Sequence, residues 1–179
     1  FSRRPCPPLN ERAAFLDDCI EILLGNWWKY KDDKIVNEEI KSPFDVKLAM
    51  RFLSELAYAV HSRESTEFKN NSFSDVSFHN LFIKYKVRNN IASNEFEALR
   101  WFHEVAGIFT QVSEQEFCFS HLDFQQYLTA FEIARKGRSF VDKLCEREND
   151  HWWKEVKLLF VAIPKYNGFA LIAESIIRG

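Results

Sequence analysis

Between Phe109 and Ser120 the hydrophobic period of the chain switches from helical to alternating, and nowhere else does it do so. On either side, apolar residues recur every three or four positions, the spacing of one helix face. Inside the interval, Phe117 and Phe119 alternate with Cys118 and Ser120, and the polar run SEQE separates them from Phe109 and Val112. A period of two sends successive side chains to opposite sides of a strand. Two short strands joined by a tight turn are therefore predicted, set into a helical chain.

The flanking helices follow from their stripes. FSRRPCPP holds three prolines and is no helix interior. Asn10 is placed to cap a helix from Glu11 carrying Phe15, Cys19, Ile22, Leu23, Trp27 and Tyr30. KYKDDK follows as a polar connector. Ser42 then reads as a cap, with Pro43 at the first helical position and Asp45 as a capping carboxylate, ahead of Leu48, Phe52, Leu56 and Ala59. That helix fades near His61, and SRESTEFKNNSFS reads as a surface loop. A helix from Asp75 carries Phe78, Phe82 and Tyr85 and breaks around Arg88 to Asn90. Ser93 is placed to cap the next, with Phe96, Leu99, Phe102 and Ala106 on one side, Trp101, Val105 and Ile108 widening it, and Gly107 at its end.

After the hairpin, Ser120 and Asp123 form a pair resembling a capping box, and Phe124, Leu128 and Phe131 make a stripe with Tyr127 and Ala130 beside it. Beyond Gly137 come Phe140, Leu144 and Cys145. A helix capped by Asn149 or Asp150 then buries Trp153, Val156, Leu159, Phe160 and Ile163 and ends at Pro164. Asn167 and Gly168 turn into a last helix, FALIAESII. Helix, helix, helix, hairpin is the order of a winged helix, with the hairpin as the wing. The predicted fold class is mainly α: a winged-helix domain with a short β-hairpin wing, flanked by helical segments. The domain division is 1–42, the end of a helical domain; 43–136, the winged helix; and 137–179, the start of a second helical domain.

Composition excludes several functions. Aromatics make up 16% of 179 residues, with 18 Phe, enough for a substantial core. A net charge of −2 disfavours a nucleic-acid reading. No apolar run approaches the roughly 20 residues of a membrane span, and no secretory signal is seen. Cys6, Cys19, Cys118 and Cys145 have no metal spacing and read as free thiols of a reducing, cytoplasmic compartment. With Phe at position 1, the chain reads as a piece of something longer. None of the five glycines forms a P-loop, and neither a G-x-S-x-G elbow nor H-E-x-x-H occurs. His103 and Glu104 are adjacent without a second His four residues on, and no metal site or catalytic residue is assigned. Trp27–Trp28 and Trp152–Trp153 read as core plus domain contacts, with a base-stacking platform as the alternative.

His121 stands out by position. It is expected in the first turn of the helix after the hairpin, where backbone N–H groups lack intrahelical acceptors and the helix dipole favours an anion. An imidazole there offers an N–H to a phosphate oxygen. An ordinary capped helix start is the alternative.

FCFSHLDFQQYLTAFEIA resembles the end of the winged-helix domain of NACHT-type signal-transduction ATPases of the STAND class, relatives of the NOD-like receptors. Their pattern of Phe, then His, then Phe-Gln-Glu-Tyr-Leu-x-Ala is matched by Phe119, His121, Phe124, Gln125, Tyr127, Leu128 and Ala130, with Gln126 in place of the Glu. PPLNERAAFLDDCIEILLGNWW resembles the helical domain after the ATPase core, LAMRFLSELAYAVH the opening helix of the winged helix, and HWWKEVKLLF the Trp-Glu-Val helix of the second helical domain. The last core helix keeps Gly107 but has Ile108-Phe109 where the family usually has Leu-Leu.

The resemblance implies a nucleotide switch in the parent protein. A nucleotide-binding domain, not in this chain, holds ADP or ATP with Mg. His121 contacts the ADP phosphate and keeps the molecule closed; exchange for ATP frees the winged helix and subunits oligomerise. The expected partners are that domain and other subunits, with no nucleic acid and no membrane. The expected role is innate-immune or antiphage defence signalling, without catalysis or a cofactor in this chain. Two other readings stay open: a stand-alone winged-helix DNA-binding protein, and an all-α protein-interaction module. The first needs basic residues on the recognition helix, and NEFEALRWFHEVA carries one Arg against three Glu.

Overall fold

The computed structural model describes residues 8–25, 45–63, 68, 71–163 and 166–178. Helix α1 (Leu9–Gly25) opens where the Arg12 N–H donates to the Pro8 carbonyl at 3.0 Å. It buries Ala13, Leu16, Ile20 and Leu24, while Phe15 and Ile22 are 65% and 55% exposed. The predicted stripe is therefore corrected. A helix apolar over much of its circumference offers two overlapping stripes, and packing against three later helices selects between them. Trp27, Tyr30, Ser42 and Pro43 lie outside the described residues.

Helix α2 (Val46–Ser62) is capped by Asp45, whose carboxylate accepts from the Lys47 N–H at 2.8 Å, and ends at Arg63 in the left-handed region, φ 53°. It buries Phe52, Leu53, Leu56, Ala57 and Val60. The interval predicted as loop ends in a strand, β1 (Phe73–Ser74), paired antiparallel with a later strand. Two residues display no period, so only the buried Phe73 hints at it. Ser74 caps α3 (Asp75–Asn89), which buries Phe78, Phe82 and Tyr85 as expected.

Asn94, not Ser93, caps α4 (Glu95–Arg100), because its Oδ1 is the group that reaches the Glu97 N–H, at 2.8 Å. The helix then widens into a π turn over Trp101–Val105, closed by Ala106 N–H to the Trp101 carbonyl at 2.9 Å. The buried face is centred on Ala98, Leu99, Trp101 and Phe102 and continues through Val105 and Ala106, which leaves Phe96 on the opposite, exposed side. Gly107, at φ 68°, ends it.

Strands β2 (Phe109–Ser113) and β3 (Glu116–Phe119) form the expected wing, and the order across the sheet is β1-β3-β2. Phe109 faces Phe119, and a shift in register between Gln111 and Ser113 leaves Val112 on the outside. Phe73, Phe109, Phe117 and Phe119 line the inner face. They continue into rings from the helices: Phe52 lies 5.2 Å from Phe78, 5.0 Å from Phe82, 5.4 Å from Tyr85 and 5.9 Å from Phe102. Edge-to-face and offset contacts of this kind are the favoured geometries for aromatic pairs. The result is a winged helix with helices on its flanks.

Helix α5 (Leu122–Lys136) is buried on all sides from Phe124 to Ala130, between α2 and a later helix, α7. Its carboxylate Glu132 is buried and fully paired: Ser54 donates to it at 2.8 Å and Arg135 at 2.9 and 2.8 Å. Arg135 and Arg88 also bind Glu55, which joins α2, α3 and α5 through one ionic cluster. A buried charge persists only with such partners.

Helix α6 (Arg138–Glu146), a 3₁₀ turn (His151–Trp153) capped by Asp150, α7 (Lys154–Ala162) and α8 (Gly168–Arg178) complete the described fold. Trp153, Val156, Leu159, Phe160 and Ile163 are all buried, as the periodicity predicts. Pro164 lies outside the described residues. At Gly168 a Cβ would sit 2.5 Å from the Phe160 carbonyl oxygen. Backbone cannot swing aside as a side chain can, so Gly168→Ala is expected to cost about 1–3 kcal/mol. A urea midpoint lowered at unchanged slope checks this; an unchanged midpoint would mean that α8 can step away from α7.

Candidate functional site

The junction between β3 and α5 places His121. The residue is the N-cap of α5, with extended backbone (φ −131°, ψ 132°), and its carbonyl accepts the first helical bonds, from Phe124 at 3.1 Å and Gln125 at 3.4 Å. The expected position inside the first turn is corrected by one residue. The imidazole is exposed, makes no capping bond, and stands edge-on to Phe124 at 5.1 Å. It lies beside the open N–H groups of a helix of 15 residues, so an anion there would meet an N–H donor and the positive end of the dipole together.

Ser120 and Asp123 serve other purposes than the predicted capping pair. Ser120 is still in register with β2: its N–H donates to the Ile108 carbonyl at 2.8 Å and its hydroxyl to the Gly107 carbonyl at 2.7 Å. Thr110 donates to the same hydroxyl at 3.2 Å. A hydroxyl engaged with the wing cannot also cap the helix. Asp123 turns to Arg12 on α1, at 2.9 Å, and Arg12 spans onward to Glu155 on α7 at 2.8 Å. A second tie runs between α5 and α1: the Tyr127 hydroxyl hydrogen-bonds Asp17, and burial together with that bond raises its pKa far above the usual phenol value.

A second polar group, missed in the sequence, lies on the far side of α5. His61 is fully buried. It stacks on Trp152 at 4.6 Å and 12°, and meets Trp153 edge-on at 4.7 Å. Its Nδ1 lies 3.2 Å from the Gln125 side-chain amide. Burial pushes its pKa down to about 4. The spacing Leu53, Ala57, His61 was the available signal, since it continues the buried stripe of α2. Trp152 is no open platform for a base: His61 stacks on its ring, the Arg63 guanidinium lies over it at 4.6 Å, and its indole N–H donates to the His61 carbonyl.

Among the described residues, no group of three or more His, Cys, Asp or Glu is placed to hold a metal. No helix among them is long and apolar enough to cross a membrane. A cavity of about 380 Å³ near the start of α7 is lined by Glu148, Asp150, His151, Lys154, Lys157 and Leu158, and one of about 220 Å³ by residues that include Asp17, Val46, Met50 and Phe131. Neither is lined by His121, which sits on an open rim.

Comparison with known proteins gives one family. The model described as a winged helix-turn-helix domain C-terminal to NACHT matches residues 12–133, more than half of the chain. No curated protein and no solved structure matches. The matched stretch runs from α1 through both strands of the wing to the last turns of α5, and includes His121. A domain of this kind is not itself catalytic. The chain belongs to the family of winged helix-turn-helix domains that lie C-terminal to NACHT.

Proposed function

We propose that this chain is the regulatory part of a NACHT-type signalling ATPase, and that His121 senses the ADP phosphate held by a neighbouring nucleotide-binding domain. The observation that carries the reading is the exposed, uncapped imidazole of His121 at the N-terminus of α5, inside the stretch matched by the family model. The nucleotide, with its Mg, supplies the phosphate charge. This chain supplies the donor, the helix dipole and the rigid body that moves. In the proposed division, 1–42 closes the preceding helical domain, 43–136 is the switch, and 137–179 begins a second helical domain that contacts other subunits. Cytoplasmic innate-immune or antiphage signalling is the setting proposed. The acidic first turn of α4, Glu95 and Glu97, disfavours the DNA-binding alternative.

Magnitudes limit what His121 does. A charge-assisted hydrogen bond contributes roughly 1.5–3 kcal/mol. That shifts a two-state equilibrium by about ten- to a hundredfold, short of the ~10⁴ needed for a complete switch. Domain packing has to supply the remainder. Calorimetric titration of ADP and ATP tests the reading, using this chain and the full-length protein. Binding is expected only in the full-length protein. His121→Ala is expected to weaken ADP by roughly tenfold or more and to raise resting activity, while leaving stability within about 0.5 kcal/mol because the residue is exposed. Unchanged ADP affinity in that variant would sink the proposal.

A further inference from the structure

We propose that Arg12 is the positioning residue for His121, coupling the place of the imidazole to helices α1 and α7. The inference rests on the nucleotide-sensing reading above. The His121 imidazole makes no capping hydrogen bond, and its place follows from the backbone at the start of α5, where the His121 carbonyl accepts from Phe124 and Gln125, and from its neighbours in the chain. On one side Ser120 is fixed to the wing through the Gly107 carbonyl, at 2.7 Å. On the other side Asp123, two residues beyond His121, is fixed by Arg12 at 2.9 Å. The second arm of the same guanidinium holds Glu155, in the first turn of α7, at 2.8 Å. One planar fork thus joins the first turns of three helices, a geometry that lysine, a single point charge, cannot copy.

The pairing has an electrostatic consequence as well. Asp123 puts a carboxylate beside the spot where His121 would receive a phosphate, and Arg12 neutralises it. Without Arg12, the start of α5 is free to tilt, and an unpaired negative charge faces the incoming anion. Both effects act against ADP. A shift of α7 pulls on the same guanidinium through Glu155, so the C-terminal helices reach His121 by a short route.

A double-mutant cycle in the full-length protein tests this, with ADP and ATP affinities and melting temperature as readouts. Arg12→Gln is expected to lower ADP affinity by roughly five- to twentyfold, more than ATP affinity, within the usual range of coupling between sites. In a His121→Ala background the same change is expected to do nothing further to ADP affinity. Arg12→Lys should fall between, and Glu155→Gln, which keeps the Asp123 pair, should cause a smaller loss in the same direction. Effects of Arg12→Gln and His121→Ala that multiply would overturn the proposal, as would a lower melting temperature with the ADP-to-ATP preference intact in both Arg12→Gln and Glu155→Gln. If His121→Ala alone leaves ADP affinity unchanged, the nucleotide-sensing reading fails first, and the role of Arg12 falls with it.

Discussion

Phe52→Ala is expected to destabilise the protein by about 3–5 kcal/mol, the usual cost of removing a buried ring. Phe52 stands where α2 meets the sheet-side aromatics, with four rings between 5.0 and 5.9 Å away. Those rings come from α3 and from the π turn after α4, so no single element can shift to fill the space. The cavity would remain largely open, which puts the cost toward the upper end. For a chain of this size the melting temperature should fall by roughly 10 °C. Phe96→Ala is the control: at 67% exposure it should change stability by no more than about 0.5 kcal/mol. Far-ultraviolet circular dichroism through a denaturant series checks both. Similar midpoints for the two variants would show that the aromatic cluster does not hold the winged helix together.

Acid should act on the joint between α2, α5 and the turn before α7, through His61. In the unfolded chain its imidazole takes up a proton near pH 6.5; in the folded protein it resists until about 4. Between those values the unfolded state binds more protons, so stability falls as pH falls. Above pH 6.5 the ring is neutral in both states and nothing is lost. The difference of about 2.5 pH units corresponds to about 3 kcal/mol lost by pH 4, at up to about 1.4 kcal/mol per unit. Burial is the principal cause. A hydrogen bond with the Trp152 backbone and the charge of Asp150 favour the charged form, while Arg63 and Arg147 oppose it. Carboxylates elsewhere also titrate in this range, so the slope has to be compared with that of His61→Phe, which keeps the ring but not the titration. The variant should be flatter in unfolding free energy between pH 6.5 and 4. Parallel slopes would mean that His61 is hydrated in solution.

How much of this was legible depended on how long each signal ran. The stripes of α3 and α7 were readable because three or more turns repeat one spacing, and each expected residue is buried. The wing was readable because Phe117 and Phe119 alternate where all else is helical. β1 was not, since a strand of two residues has no period; it exists because β3 needs a partner and Phe73 a place in the core. The π turn was invisible for a related reason: a single extra residue leaves apolar spacing almost unchanged. At the candidate site, His121 could be located from the helix start. Its neighbours could not, because the partner of Asp123 lies 111 residues away on α1 and that of Ser120 across the wing. Long-range pairs leave no trace in local pattern.

The burial of α5 on every side bears on how the chain acquires its structure during synthesis. Its walls come from α2, made earlier, and from α7, made later; Trp153, Val156 and Phe160 belong to the same continuous core. A nascent chain that has released only the residues matched by the family model would still lack the α7 wall of that groove. The span shared with relatives therefore stops short of the span that has to fold together. Expression boundaries drawn at the end of the shared span would remove α7 and leave the side of α5 that packs on it facing water.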